Sequence, residues 1–172
     1  ISDFNGTLFD DTDLQEAAWD VLLKKYLNRP LRAGEFRDNF HGLTNAEILL
    51  YLNRQNPAQP FTIDITDEKE EIYREICYQQ PERLSFVKGV PELFDTLQAR
   101  QIPFNIATAS EITNVRFYFK AFKLERWMSF DQVVYDDQSF PGKPAPDIYL
   151  IAAKRLGLKA EECVVCEDSL NG

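Results

Sequence analysis

An α/β fold, with a doubly wound parallel sheet and an inserted all-helical segment, is predicted by three features of this 172-residue sequence. Short apolar runs of strand length, Ile102–Ala109, Gln132–Tyr135 and Cys163–Cys166, alternate with helical patterns. This alternation is the mark of βαβ units with right-handed crossovers and helices on both faces of the sheet. A short apolar opening that runs into Asp3 supplies a first strand, and a long region with only helical periodicity follows it. That region interrupts the sheet at the carboxyl edge of its first strand, where open α/β sheets bind ligands. The predicted organisation is therefore a core of residues 1–11 and 85–172, with 12–84 inserted as a helical lid over the binding edge.

The elements follow in order. Asn5-Gly6 is a strong turn signal, because both residues accept positive φ. A helix is predicted from about Asp11 or Thr12, with Leu14, Ala17, Ala18, Val21 and Leu22 on its apolar face. Ile48, Leu49 and Leu52 mark a second helix, Ile72, Tyr73 and Ile76 a third, and the Pro-containing stretch Asn56–Phe61 is a loop between them. Asp67–Glu75 is dense in charge, with Glu70 and Arg74 spaced to pair on a solvated helix face. Past Lys88, Gly89-Val90-Pro91 opens a helix with Leu93, Phe94 and Leu97 on one side. Val115, Tyr118, Phe119 and Phe122, then Ile148, Ile151, Ala152 and Leu156, give the two helices that separate the later strands.

Composition bounds the function. A hydrophobic fraction of 44% is enough for a proper core, and no apolar run reaches membrane-spanning length. With no signal-peptide profile at the start, the expected setting is soluble and cytoplasmic. The net charge of −9, without a basic stripe, disfavours nucleic acid and anionic membranes as partners. An anionic ligand then needs a local cation. Three cysteines leave one unpaired in any scheme, which suits a reducing compartment, and Cys163 and Cys166 are expected to be buried strand thiols rather than metal ligands. His41 is the single histidine, so no histidine cluster can hold a metal.

The strands end in polar residues: Asp3 after the first, Thr108 and Ser110 after the second, and Glu167-Asp168-Ser169 after the last. Lys143 lies in Phe140-Pro141-Gly142-Lys143-Pro144-Ala145-Pro146, among rigid turn residues ahead of a helix, and is thereby positioned. Three carboxylates, a lysine and a hydroxyl suit phosphoryl transfer, which needs charge neutralisation and alignment. Magnesium favours such oxygen donors, with Asp3 and Asp168 as its ligands and Lys143 and Thr108 left for the phosphate.

Four stretches resemble the haloacid dehalogenase superfamily, and within it the helical-cap phosphatases and β-phosphoglucomutase-like members. They are Asp3-Phe4-Asn5-Gly6-Thr7-Leu8 with Asp10, Ile106-Ala107-Thr108-Ala109-Ser110, Gly142-Lys143-Pro144-Ala145-Pro146-Asp147-Ile148-Tyr149, and Val165-Cys166-Glu167-Asp168-Ser169-Leu170-Asn171-Gly172. The resemblance covers the whole chain and implies a Rossmann-like core with a cap, with the chain trimmed at both ends. It also implies that Asp3 is the nucleophile that becomes an aspartyl phosphate, oriented by Thr108 and Lys143. Magnesium would sit on the Asp3 carboxylate, the Asn5 main-chain carbonyl and Asp168, assisted by Glu167. The substrate would be a small phosphorylated metabolite such as a sugar phosphate, gripped by Thr108, Ala109, Ser110 and Lys143, with His41 and Asn45 facing it from the cap.

Two departures from that pattern shape the expectation. Asn5 replaces the acid that protonates the leaving oxygen and then activates water, and an amide does neither, a loss typically worth about 10²–10⁴ in rate. Gln15 and Asn45 stand where the β-phosphoglucomutase pattern has a histidine and a phosphate-binding arginine, so a second phosphate grip is missing. A phosphatase is the leading reading. A phosphomutase, and a phosphometabolite-binding protein impaired in turnover, are the alternatives.

Overall fold

The computed structural model describes residues 1–58, 60–61 and 64–172. Four stretches of main chain lie side by side and parallel. Strand β1 (Ala107–Glu111) pairs with β2 (Val134–Asp136). Ser2 bridges to Ile106 on one side and to Cys166 on the other. The lateral order is Cys166, Ser2, β1, β2, so the chain starts in the middle and winds outwards both ways. Side chains alternate across this sheet as a strand requires. Ile106 and Val133 enter a large cluster with Phe4, Val115, Tyr118 and Phe122, whereas Ala107 and Val134 enter a cluster on the opposite face with Ile148 and Ala152. Helix α6 (Ile112–Phe122) covers the first face and helix α7 (Asp147–Arg155) the second. Helix α5 (Val90–Ala99) adds Phe94 to the larger cluster.

The inserted region carries α1 (Thr12–Leu27), α2 (Glu35–Asn39), α3 (Asn45–Gln55) and α4 (Asp64–Gln79). Trp19, Leu22, Leu23, Phe36, Phe40, Ile48 and Leu52 form a cluster of their own. Leu14 and Ala18 near the start of α1, and Tyr73 and Cys77 near the end of α4, join the core of the α/β part instead. Thr44 and Glu47 form a capping box at the start of α3, satisfying backbone N–H groups that would otherwise lack partners.

Several expectations need correction. The ladder of β1 begins at Ala107 rather than Ile102, which is exposed, so Thr108 and Ser110 lie within the strand and not after it. Gln132 belongs to a 3₁₀ turn, Phe130–Gln132, ahead of β2. The last run bridges to Ser2 at Cys166, and the Val164 carbonyl accepts from the Ile1 amino group at 2.9 Å. There Val164 is 77% exposed, Cys166 is exposed and Cys163 partly so, because among the described residues no helix packs over that edge; only Cys77 is a buried thiol. On α1 the buried face is Leu14, Ala18, Trp19, Leu22 and Leu23, with Val21 turned out, and Leu93 is likewise exposed on α5. Glu70 is not on a solvated face: it is 4% exposed, and Arg74 donates to Asn114 instead. Of the loop Asn56–Phe61, Gln59 lies outside the described residues.

Candidate active site

The central stretch delivers Asp3 to the carboxyl edge of the sheet, and the chain then turns sharply. Gly6 has φ +77°, and a Cβ there would lie 2.1 Å from Asp168 Oδ2, so both the conformation and the close approach call for glycine. The turn returns Thr7 to donate to Asp168 Oδ1 at 2.8 Å.

Asp3 and Lys143 are almost fully buried, at 5% and 1% exposure. Lys143 Nζ lies 3.1 Å from Asp3 Oδ1 and donates to Glu167 Oε2 at 2.7 Å. Tyr149 and Ser169 hydroxyls also donate to Glu167, each at 2.5 Å. Burial pushes the Asp3 carboxyl up to about 7, opposed by the Lys143 charge. Burial works against the Lys143 ammonium too, yet the two carboxylates outweigh it and raise its pKa. For Glu167 burial is outweighed by Lys143, and its pKa falls. Asp168 is held below its ordinary value despite burial by His41, whose Nε2 lies 3.0 Å from Oδ2, and by Thr7; the same contact raises His41.

The donor set fits a hard divalent cation. Oxygens of Asp3, Glu167 and Asp168 lie within 4.8 Å of one another, and Asp3 Oδ1, although beside Lys143, accepts no hydrogen bond of good geometry. Three carboxylates outnumber the one buried ammonium, and magnesium takes oxygen ligands of this kind.

A second polar network adjoins the first. Asn5 Nδ2 donates to Asp11 Oδ2 at 2.6 Å and to Tyr118 OH at 2.9 Å, while Asn5 Oδ1 accepts from Ser110 at 2.8 Å and, more weakly, from Thr108 at 3.4 Å. Burial raises the pKa of Asp11, against the hydrogen bonds from Tyr73, Asn5 and Gln15 that favour its anion. Further from Asp3, Lys69 donates to Gln15 Oε1 at 2.5 Å and to Glu70 Oε1 at 2.9 Å. Glu70 also accepts from Asn45 at 2.7 Å and from Asn114, and Asn45 reaches Glu111 at 3.0 Å.

Most of these groups, though not Thr7, Tyr73, Glu111, Asn114, Tyr118 or Tyr149, line one cleft of about 80 Å³, walled by the sheet edge on one side and by α1, α3 and α4 on the other. It brings together Asp3, Asn5, Thr108, Ala109, Ser110, Lys143, Glu167, Asp168, His41 and Asn45, the full set expected from the sequence. It also contains residues that sequence reasoning missed. Lys69 and Glu70 were hidden in a charged run, although the helical spacing Thr66, Lys69, Tyr73, Cys77 places Lys69 on a buried face. Tyr149 follows the lysine loop and Ser169 follows the acidic pair, but nothing local marks either as a partner of Glu167.

Comparison with known proteins shows the family. The profile of the family described as haloacid dehalogenase-like hydrolase matches residues 1–172. The phosphorylated carbohydrates phosphatase of Thermotoga maritima is 27% identical over 179 aligned residues, covering 100% of this chain and 76% of the relative. Hexitol phosphatase A of Escherichia coli is 28% identical, with 99% and 74% covered. Among solved structures, a family IA, variant 3 hydrolase from Entamoeba histolytica superposes with a TM-score of 0.83 at 35% identity, covering 99% of this chain and 75% of that one.

Proposed function

The chain belongs to the haloacid dehalogenase-like hydrolases, and from that premise we propose that it is a magnesium-dependent phosphatase acting on a small phosphate monoester through an aspartyl phosphate on Asp3. The observation that carries this reading is the buried ammonium of Lys143 shared between Asp3 and Glu167, with Asp168 alongside, at the floor of a closed cleft. An Asp3 oxygen attacks phosphorus, the bond from phosphorus to the ester oxygen breaks, and that oxygen leaves as the alcohol after taking a proton from solvent water. Water then attacks phosphorus, the bond to Asp3 breaks, and inorganic phosphate leaves. Lys143 holds the phosphoryl oxygens and favours the anionic form of Asp3 against the effect of burial, while Thr108 and Ser110 offer hydroxyls to the same group. Magnesium, when bound by Asp3, the Asn5 main-chain carbonyl and Asp168 with Glu167 assisting, supplies further neutralisation of the phosphoryl charge.

Asn5 cannot give or take the proton of either step, so turnover is expected to be about 10²–10⁴ slower than with an acid there. The helices of 12–84 act as a cap in this reading. A single phosphate fits better than two, because the polar groups at the cap end of the cleft are already engaged with one another: Glu70 accepts from Asn45 and Lys69, and Asn45 also reaches Glu111 at the end of β1. Lys69 is held by Glu70 and is not free to grip a second phosphate, and relatives named for phosphorylated carbohydrates and hexitols point to a sugar or polyol phosphate as substrate. A volume of 80 Å³, room for about six waters, matches a compact ester. The test is magnesium-dependent release of inorganic phosphate from a panel of sugar and polyol phosphates by the wild type and by Asp3→Asn. Release is expected from the wild type alone; equal rates in both would remove Asp3 as nucleophile. Binding of these esters without release over days would favour the binding-protein alternative.

A further inference from the structure

Asp11 is fully buried, with no lysine or arginine among its hydrogen-bond partners, and its carboxylate is surrounded by donors. Oδ1 accepts from the Gly6 backbone at 3.0 Å; Oδ2 accepts from Asn5 at 2.6 Å, Tyr73 at 2.5 Å and Gln15 at 3.2 Å. Both oxygens of Asp11 already accept, Oδ1 from a backbone N–H and Oδ2 from neighbouring donors, so the facing amide is set with its nitrogen towards Asp11 and its oxygen away from it. The oxygen of Asn5 is thereby turned to Ser110 and Thr108, on the side of the cleft where the phosphoryl group binds. Turning the amide round would set two acceptors against each other in a water-poor space, at the cost of an unmatched buried polar group.

We propose that Asp11 is the positioning residue for Asn5, and that the two form a matched pair in which the carboxylate at position 11 fixes the orientation of the amide at position 5. The inference rests on the phosphatase reading for its catalytic part only. In the pair as it stands, Asn5 presents a fixed hydrogen-bond acceptor to the alcohol or water at phosphorus and exchanges no proton with it. A carboxylate introduced at position 5 alone would face Asp11 at the same short distance. It can work only if position 11 becomes a donor at the same time.

The experiment is a double-mutant cycle of Asp11→Asn, Asn5→Asp and the double exchange, read in two ways. Thermal unfolding does not depend on turnover. Each single variant is expected to lose about 3–10 °C in Tm, because each leaves a buried polar group mismatched, and the double variant is expected to return to within about 3 °C of the wild type. Single losses that simply add in the double variant overturn the pairing. The second reading is kcat and KM for sugar phosphate hydrolysis with magnesium. Asp11→Asn is expected to lower kcat about tenfold with KM changed less than about twofold. The double variant, with an acid at position 5 and an amide facing it, is expected to exceed the wild-type kcat by about 10-fold or more and to exceed Asn5→Asp. An Asp11→Asn enzyme with unchanged kcat overturns the positioning role. Coupling in Tm with no phosphate release from any of the four proteins upholds the pair and refutes the phosphatase reading, so the two failures are distinct.

Discussion

Lys143 carries one positive charge into a space lined by Asp3 and Glu167, and at 1% exposure it is almost wholly withdrawn from bulk solvent. Removing one partner from such a buried set leaves the others uncompensated, which costs far more than the net worth of the contact. Lys143→Met is therefore expected to destabilise the protein by about 3–5 kcal/mol in chemical denaturation and to reduce phosphate release at least about 100-fold. Lys143→Arg separates the two effects. It keeps the charge and should recover part of the stability, but the guanidinium is too large for the enclosed site and activity should stay low. Full activity in Lys143→Met would show that the lysine is structural. The residues of this site differ in how readable they were. Asp3, Thr108, Lys143 and Asp168 could be found because each is a polar residue where an apolar run ends or a rigid turn holds it, and that is a local feature. Lys69 and Tyr149 act through partners 54 and 18 residues away in sequence, and such pairings form only when helices pack.

At the scale of elements, helix α2 has only five residues, and one ion pair ties it to the end of α1. Arg29 donates through both of its terminal nitrogens to Glu35 at 2.7 and 2.8 Å, and the backbone of Arg32 adds a third bond at 2.9 Å. Burial pushes Glu35 up, but these donors outweigh it and hold its pKa below the ordinary 4.5. A carboxylate depressed in the folded state contributes stability that is fully present above its unfolded pKa and is lost as pH falls through its folded value. Glu35→Gln should therefore lower Tm most at neutral pH, and the gap from wild type should close as pH falls below about 4.5. A gap independent of pH would mean that packing, not charge, is what Glu35 contributes. The helices themselves were legible from apolar spacing, since α3, α6 and α7 start and stop close to where the periodicity does. The strands were less so. Ile102 and Val164 are apolar yet exposed, and Ser110 and Glu111 are polar yet in β1, because pairing in a sheet is decided by neighbours distant in sequence and not by the run itself.

Over the whole molecule, the candidate site belongs neither to the sheet nor to the inserted helices alone. Its floor is Asp3, Lys143, Glu167 and Asp168, its roof includes His41, Asn45, Lys69 and Glu70, and the seam between them is polar: His41 to Asp168, Asn45 to Glu111, Glu70 to Asn114, Asn171 to the His41 carbonyl. Polar seams of this kind can part without exposing a large apolar face, whereas Leu14, Ala18, Tyr73 and Cys77 keep one end of the helical segment anchored in the main core. Arg83 strengthens that anchor, binding Asp13 through two nitrogens and the Asp10 carbonyl at 3.1 Å, where the chain passes in and out of the helical segment. A ligand that fills the cleft contacts both sides and so favours the closed arrangement over all others, folded or unfolded. Magnesium with orthovanadate, a mimic of the transferring phosphoryl group, is expected to raise Tm by about 5–10 °C when present at roughly 100 times its Kd. Neither magnesium alone nor vanadate alone should do so fully, because three carboxylates against one lysine leave an excess of negative charge that repels the anion until magnesium neutralises it, while magnesium alone leaves the phosphoryl position unfilled. Lys143→Met should abolish the rise altogether. A rise produced equally by vanadate without magnesium would show that the carboxylates do not hold a cation, and would return the weight of phosphate binding to Lys143 and the hydroxyls of Thr108 and Ser110.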